Sequence, residues 1–456
     1  TLTTNDIQEY IFETTTQSTT DWNNPDFDIS NDIPNSGDFS SHDDFTGSPV
    51  AQGNSTQQSD SARESTIPDT SVEIRQPQNE AEMIDSPLTA QVNEIEKPEE
   101  ITKLANDFKR SCDGYGIQIA ECEPSKAIIG SSIIRFPFKL SRGQRIAVLR
   151  DRLEDIGREM RRNGVLVQTD ANSDTFLDVP RTNRDAVLFS DILDSIPVVS
   201  SKEQLFFPLG RTPDGRDIFK NLKELPHLLV GGSTGSGKSV FLYTLLCSIL
   251  KTHPHSDDCQ ILLSSSKRED FVYFEGLPQL VEGRVFADAE EMTELFKSFI
   301  YSESERRGEL LINARKRDID AYPPLVVIVD EFADLTDQLS SRQEKNDFYT
   351  PIRKIAQAGR SRGIHLVLCT QRPSADLVPT NIKAQLNGRL ALRVNDAIAS
   401  RMIIDDNGAE RLQKHGDMLY KTESGTERVQ GFFIDIPEVE SIVNEIIEYQ
   451  GSLSTP

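Results

Sequence analysis

Apolar residues recur along this chain in two different rhythms, and the change between them predicts its elements. Short continuous apolar runs occur at five places, namely Leu228–Val230, Ile261–Leu263, Leu325–Val329, His365–Cys369 and Arg389–Val394. Runs of this kind are typical of strands that are buried on both faces. Helical segments separate the runs, so the alternation predicts an α/β fold with a parallel sheet that helices cover on both faces.

A smaller unit is predicted upstream of that sheet. Its clearest element is a segment in which apolar residues recur at spacings of three and four, the period of an amphipathic helix. These residues are Ile146, Leu149, Leu153, Ile156 and Met160. Apolar stretches around residues 117–119 and 128–138 predict strands. We therefore expect a small α+β domain over residues 101–199, followed by the α/β domain over residues 200–456.

The first hundred residues follow neither rhythm. They are rich in Thr, Ser, Asn, Gln and Asp, and they hold 21 acidic residues against three basic ones, most of the net charge of −24 of the whole chain. This composition is typical of disordered segments. We expect residues 1–100 to be a disordered acidic tail or linker. A partner-docking arm and an acidic mimic of DNA are alternatives that the sequence leaves open.

Composition excludes several classes of protein. The longest apolar runs are far shorter than the roughly 18 residues of a membrane-spanning helix, so we expect no membrane segment in this chain. Five scattered cysteines without CxxC spacing argue against a disulfide framework and a zinc site, and favour a cytoplasmic location. The chain begins at Thr1 rather than Met, so a membrane tether upstream of Thr1 remains open.

One glycine-rich motif follows the run Leu228–Val230 and opens a helical segment. It matches GxxxxGK[ST] in full, with the residues Gly232, Ser233, Thr234, Gly235, Ser236, Gly237, Lys238 and Ser239. In such a P-loop the backbone N–H groups cradle the phosphates of a nucleotide, the lysine reaches the β- and γ-phosphates, and the hydroxyl binds Mg²⁺. We expect these residues to bind ATP and Mg²⁺. A glycine-rich turn without a ligand is the alternative.

Two acids follow the apolar run Leu325–Val329. Ligands of open α/β sheets bind at the carboxyl ends of the strands, so Asp330 and Glu331 are expected to reach the nucleotide. Asp330 is the predicted outer ligand of Mg²⁺, and Glu331 is the predicted group that orients and deprotonates the attacking water. A solvated strand end or a helix cap is the alternative for this pair.

Two further features are candidates for the same chemistry. Thr370 and Gln371 follow the run His365–Cys369 and are predicted to sense the γ-phosphate, unless they form an ordinary strand exit. Arg360 is predicted to lie in a turn between Gly359 and Gly363. It fits either an arginine finger, which stabilises the transition state at a neighbouring subunit's nucleotide, or a solvated basic turn.

Several stretches carry more specific residues. They include VDEFADL at 329–335, GIHLVLCTQRP at 363–373 and GDMLY at 416–420. Together, over about residues 112–435, they resemble the motor of the FtsK/SpoIIIE family of bacterial double-stranded DNA translocases. The resemblance implies a small α domain before a RecA-like P-loop NTPase domain. It also implies an ATP-driven ring, expected to be a homo-hexamer, that threads duplex DNA, with Arg360 acting in trans and Thr370 and Gln371 on the sensor strand.

The chain also departs from that family. The Asp-Pro-Lys common after the second core strand reads Ser265-Ser266-Lys267, and a DNA-orienting γ domain is not expected before Pro456. The densest basic stretch, between residues 306 and 317, fits a solvated helix face or a DNA-contacting surface. Type VII secretion ATPases, which move polypeptides, share the loop, the acid pair and the Gly-Asp-Met-Leu pattern. Transport of a protein substrate is therefore the alternative function.

Overall fold

The computed structural model describes residues 97–170, 172–198, 204–315, 322–374, 379–422 and 425–453. Most of the predicted acidic tail lies outside these ranges. The prediction of disorder is wrong at the very end of that tail, because a helix already begins at Pro98. Proline suits the first turn of a helix, and Glu99 and Glu100 add a favourable charge to its N-terminus.

The first part of the described chain forms a five-stranded antiparallel sheet with two helices. The strands are β1 (Ile119–Cys122), β2 (Ile128–Ile129), β3 (Ile133–Leu140), β4 (Leu166–Thr169) and β5 (Thr175–Pro180), and the helices are α1 (Pro98–Gly114) and α2 (Ile146–Glu159). The strand order is β1-β3-β5-β4, and β2 pairs with β3. Phe108 of α1, Leu149 of α2 and Phe136 of β3 share one buried core. The domain boundary at residue 199 stays a prediction.

A nine-stranded sheet follows. Its strands are β6 (Phe206–Arg211), β7 (Asp217–Asn221), β8 (His227–Gly231), β9 (Gln260–Ser265), β10 (Leu325–Asp330), β11 (Ile364–Thr370), β12 (Gly388–Leu392), β13 (Asp417–Thr422) and β14 (Gly425–Gln430). The order is β7-β6-β14-β13-β12-β8-β11-β10-β9. The five strands from β12 to β9 run parallel, as predicted. The sheet as a whole is mixed, because β13, β14, β6 and β7 extend it in antiparallel pairs.

Eight helices and a π-helical stretch accompany this sheet among the described residues. They are α3 (Lys238–Thr252), α4 (Ala289–Glu294), the π-helix Leu295–Ile300, α5 (Tyr301–Ala314), α6 (Phe332–Asp337), α7 (Arg342–Arg362), α8 (Thr380–Lys383), α9 (Ala397–Ile404) and α10 (Ile436–Leu453). Short 3₁₀ turns occur at Pro124–Lys126, Ser190–Ser195, Arg268–Asp270, Val272–Phe274, Val281–Gly283 and Ala409–Arg411. None of the helices in these ranges is long and apolar enough to cross a membrane.

Helices cover both faces of the nine-stranded sheet, as the sequence predicts. Along β10, Val326 and Ile328 join the core that contains α3 and α10, whereas Leu325, Val327 and Val329 join the core that contains α4 and α7. Successive strand residues point to opposite faces, so a strand covered on both sides must be apolar throughout. The continuous run LVVIV follows from this double burial.

The segment before residue 199 also packs on the nine-stranded sheet. Val187 and Phe189 exchange backbone hydrogen bonds with Phe433, at 2.7 and 2.8 Å. Ile192 and Ile196 lie buried in the core that contains α3 and α10. This segment therefore contributes to the core of the large sheet.

Helix α7 continues through the predicted turn around Arg360. Its last residue is Arg362, and Gly363 ends it in the left-handed conformation with φ 64°. Gly359 serves close packing, because a Cβ atom there would lie 2.5 Å from the Ile364 oxygen and 2.9 Å from Cε1 of His227. The prediction of a glycine-flanked turn is wrong, because Gly359 allows close packing inside the helix and only Gly363 ends it.

Two buried histidines lie on neighbouring strands, His227 on β8 beneath the end of α7 and His365 on β11. His227 on β8 accepts a hydrogen bond at Nδ1 from the Leu366 amide, at 3.1 Å. Burial and the neighbouring His365 lower the pKa of His227 to about 3. Burial and the nearby Arg307 lower the pKa of His365 to about 4. Both rings are therefore neutral in the folded chain at neutral pH, and His365 is a packed strand residue, as predicted.

Acidification is expected to destabilise the fold through these two rings. Both folded pKa values lie below the ordinary value of roughly 6.5, so the unfolded chain binds more protons below that pH. Their contribution to the free energy of unfolding is present above pH 6.5 and falls by about 2 kcal/mol per histidine between pH 7 and pH 5. Urea unfolding over this range measures the loss. His227→Gln should reduce the pH dependence and the control His255→Gln should not; equal slopes in all three chains would contradict this account.

Candidate nucleotide-binding site

The glycine-rich loop connects the end of β8 to the start of α3. Gly235 and Gly237 have φ values of 72° and 104°, which favour glycine. A Cβ atom at Gly232 would lie 2.6 Å from the Ser236 hydroxyl and 2.9 Å from Cβ of Leu392. The three glycines of the motif therefore allow the backbone to wrap tightly.

Neighbouring strands hold the loop in place. Ser233 donates to the Arg393 carbonyl through its backbone N–H at 2.7 Å and through its hydroxyl at 3.0 Å. On the other side the Gly232 N–H donates to the Thr370 carbonyl at 3.1 Å. The buried Ser236 hydroxyl has no hydrogen-bond partner among the described residues. These hydrogen bonds thus support the loop on both sides, and the Ser236 hydroxyl is the buried polar group of the loop that they leave unbonded within the described residues.

The acid pair stands at the carboxyl end of β10. Asp330 is the last residue of the strand, and Glu331 precedes helix α6 in the left-handed conformation with φ 53° and ψ 61°. A side chain other than glycine in this region carries backbone strain, which is commonly found at functional sites. The turn directs the chain back into α6 immediately after the two carboxylates.

Lys238 joins the loop to both acids. Its ammonium lies 2.6 Å from Oδ1 of Asp330 and 3.3 Å from Oε2 of Glu331, and all three side chains are buried. Burial by itself would lower the pKa of Lys238, but the carboxylates raise it above its ordinary value. Lys238 is therefore charged, and its ammonium and the two carboxylates form a buried ion cluster.

A second set of contacts clamps Glu331. The Gln371 backbone N–H donates to its two carboxylate oxygens, at 3.1 and 2.9 Å. The Thr370 hydroxyl donates to Oε1 at 3.1 Å and accepts from the Arg372 amide at 3.1 Å. The Gln371 side chain accepts from the Thr234 hydroxyl at 2.7 Å. Thr370 and Gln371 thus link the glycine-rich loop to Glu331, and the Glu331 clamp consists of their three hydrogen bonds to its carboxylate.

The remaining predicted residues lie in two different places. Ser239 occupies the first turn of α3, next to Lys238, and is half-buried. Arg360 is exposed in the last turn of α7. In the described part of the chain, no hydrogen bond or ion pair joins the Arg360 side chain to the loop or the acids. The fold therefore brings the loop, acids and sensor residues together and leaves Arg360 apart.

Sequence reasoning missed two contributors to the site. Gly416 donates its N–H to the Ser236 carbonyl at 2.8 Å, although the motif around it was assigned no role. Asp270 lies near the acids, and burial together with Asp330 raises its pKa. The triplet Ser265-Ser266-Lys267, which replaces the Asp-Pro-Lys of the family, bonds to a nearby helix, since the Ser266 hydroxyl donates to Asp334 of α6 at 2.8 Å. In the sequence, the Gly-Asp pair at 416–417 was the one signal that could have pointed to the contact of Gly416 with the loop.

Solved structures define the class of this fold. The chain is similar to the pCW3 conjugation coupling protein TcpA in its monomer form with ATPγS, with a TM-score of 0.52 and 19% identity. The match covers 76% of this chain and 99% of the other. With the glycine-rich loop on β8, this defines a RecA-like P-loop ATPase fold.

Sequence comparison identifies the family. Residues 189–322 and 307–375 match the model of the FtsK/SpoIIIE family. DNA translocase FtsK of Clostridium acetobutylicum is 32% identical over 78% of this chain and 48% of its own length. The FtsK of Halalkalibacterium halodurans is 30% identical over 76% of this chain and 46% of its own length. This chain belongs to the FtsK/SpoIIIE family, and it spans about half the length of the curated relatives it matches.

Replacing Lys238 is expected to weaken the fold even without nucleotide. Lys238→Ala leaves two buried carboxylates without their cation, which should lower the free energy of unfolding by roughly 3 kcal/mol. Urea unfolding of the nucleotide-free chain measures this. Lys251→Ala on the same helix removes an ion pair with the exposed Glu445 and serves as the control, with an expected loss below about 1 kcal/mol. Equal midpoints for Lys238→Ala and the unaltered chain would refute the role of the cluster.

Proposed function

We propose that this chain is the ATP-driven motor of a double-stranded DNA translocase. The observation that carries the proposal is the buried ion cluster of Lys238, Asp330 and Glu331 at the carboxyl ends of the central strands. Ligands bind at this edge of an open α/β sheet. The curated relatives named above are DNA translocases, which favours DNA over a protein substrate.

The residues of the loop fit a magnesium nucleotide. The glycines leave backbone N–H groups free of side-chain cover, and the buried Ser236 hydroxyl lacks a partner within the described ranges. Ser239 and Asp330 offer the hard oxygen ligands that Mg²⁺ prefers. Bound Mg²⁺ would neutralise charge on the β- and γ-phosphate oxygens. Lys238 would exchange its carboxylate partners for these phosphates.

Glu331 is the proposed base that orients the attacking water and accepts its proton. Its carboxylate is held by the Gln371 amide and the Thr370 hydroxyl, and the exchange of Lys238 to the phosphates would free Oε2 to accept a hydrogen bond from the water. Arg372, whose amide donates to the same hydroxyl, lies in the segment that follows β11. Thr370 and Gln371 would thus report the state of Glu331 to that segment.

Arg360 is proposed to complete the site of a neighbouring copy. It is exposed and has no hydrogen-bonded or ionic partner for its guanidinium in the described part of the chain. An arginine supplied in trans stabilises the charge on the transferred phosphoryl group. We therefore propose a homo-hexameric ring around duplex DNA, working in the cytoplasm, with pore contacts to backbone phosphates, since a motor that slides cannot depend on base sequence.

Duplex DNA is expected to stimulate ATP hydrolysis by this chain. Contacts with phosphates release counterions, so the stimulation should fall steeply between about 50 and 200 mM salt. A phosphate-release assay with and without linear duplex measures this, with Glu331→Gln as the blank; loss of a general base lowers the rate by about 10²–10⁴-fold. Basal hydrolysis that ignores every DNA would instead favour transport of a protein substrate.

Substituting Arg360 should damage a neighbour's site rather than its own. Arg360→Ala is expected to bind ATP normally and to lower kcat by about 10³-fold or more. Added in increasing amounts to the unaltered chain, it should depress the rate more than dilution alone. Arg353→Ala, a change of another arginine on helix α7, is the control. A rate that follows simple dilution would remove Arg360 from the reaction.

A further inference from the structure

A third acidic residue stands at the edge of the sheet where the candidate nucleotide site lies. Strand β9 pairs in parallel with β10, and Ser265 at its end lies opposite Asp330. The chain then enters the 3₁₀ turn Arg268–Asp270. Ligands of open α/β sheets bind beyond the carboxyl ends of the strands, so this turn flanks the nucleotide site on the side of β9. Asp270 is the last residue of the turn.

Hydrogen bonds at both ends of its peptide unit fix the backbone of Asp270. Its N–H donates to the Lys267 carbonyl at 3.0 Å, and the Ser265 hydroxyl bonds to both the N–H and the carbonyl of Lys267, each at 3.1 Å. The Tyr243 hydroxyl donates to the Asp270 carbonyl. Tyr243 belongs to α3, and its ring packs edge-on against Phe271 with centroids 5.6 Å apart. The helix that follows the glycine-rich loop therefore also positions Asp270.

The Asp270 carboxylate is half-buried and lacks a donor. No hydrogen bond or ion pair joins it to another residue in the ranges that the structure describes. Burial and the nearby charge of Asp330 raise its pKa, and Lys267 and Lys238 lower it. Asp330 and Glu331 differ from it, because both share the ammonium of Lys238. A carboxylate is an acceptor only, so a donor from outside the chain would stabilise Asp270.

The chemistry of a magnesium nucleotide indicates which donor this is. Mg²⁺ in such sites takes one or two protein ligands and keeps several of its water molecules. A carboxylate that accepts from these waters forms charge-assisted hydrogen bonds, about twice as strong as neutral ones. Within the described ranges, no three acidic, histidine or cysteine side chains lie close enough together to hold a metal. A water of the ion, rather than the ion itself, therefore suits the Asp270 carboxylate.

We propose that Asp270 is a positioning residue of the nucleotide site, whose carboxylate accepts a hydrogen bond from a water of the Mg²⁺ ion that Ser239 and Asp330 would bind. The inference rests on the proposed function and adds to it an acid that acts through the water of the ion. Such partners of metal-bound groups orient them and raise the affinity for the metal. Asp270 thereby allows the site to bind nucleotide at lower Mg²⁺ concentrations.

Calorimetric titration of the full chain with ATPγS over a series of Mg²⁺ concentrations tests the proposal. Asp270→Ala is expected to raise the Mg²⁺ concentration for half-maximal affinity by about tenfold or more, as is usual when a partner of a metal-bound group is lost. Saturating Mg²⁺ should restore the affinity of the unaltered chain. Asp270→Asn keeps an acceptor oxygen but loses the charge, so its Mg²⁺ requirement should lie between the two.

Glu269→Ala is the matched control. It removes the same charge from the exposed neighbouring position of the same turn, and it should leave the Mg²⁺ dependence unchanged. Urea unfolding of the nucleotide-free chains provides a second control. The midpoint of Asp270→Ala should equal or exceed that of the unaltered chain, because the bond from Tyr243 goes to the backbone and the lost carboxylate has no donor in the described part of the chain.

Three results would overturn the proposal and leave the proposed function intact. The first is an unchanged Mg²⁺ requirement in Asp270→Ala. The second is an equal shift in Glu269→Ala, which would reflect net charge alone. The third is a lowered urea midpoint with a loss of affinity that saturating Mg²⁺ does not restore, because Asp270 would then merely hold the turn in place. If the unaltered chain fails to bind ATPγS at every Mg²⁺ concentration, the proposed function itself fails.

Discussion

One buried ammonium between two carboxylates governs the chemistry of the whole site. Lys238 begins α3, directly after the loop that follows β8, and its two partners stand at the end of β10, with β11 between the two strands. A charge removed from water costs several kcal/mol unless it is paired, so the cluster stabilises the relative position of these strands. Under the proposed function, a triphosphate competes for an ammonium that already has two carboxylate partners. Nucleotide binding and release of the acids would then be a single exchange.

The parallel centre of the sheet and its loop could be predicted because local sequence determines both. Double burial requires apolar runs such as Leu325–Val329, and the tight loop requires glycine at 235 and 237. The antiparallel strands were less predictable. Asp217–Asn221 is short and only partly buried, so no apolar run marks it, although it pairs with β6 in a local hairpin.

Contacts between distant parts of the chain lay beyond sequence reasoning. The bond from Gly416 to Ser236 and the bonds from Gln371 to Glu331 depend on the sheet order, which no local pattern encodes. Arg307 illustrates the same limit. In a basic stretch predicted to be either solvated or bound to DNA, it is instead buried and donates to Glu303 and to three backbone carbonyls. Charge counted along the sequence does not reveal such internal partners.

The packing of Val187, Phe189, Ile192 and Ile196 on the large sheet determines where this chain can be shortened. A fragment that began at residue 200 would contain every residue of the phosphate loop and both acids. It would nevertheless leave apolar surface of the core that contains α3 and α10 uncovered and the backbone of Phe433 without its partners. Exposed apolar surface of this kind promotes aggregation. For recombinant work, a motor fragment should therefore start before Val187 rather than at residue 200, where the sequence predicts that the α/β domain begins.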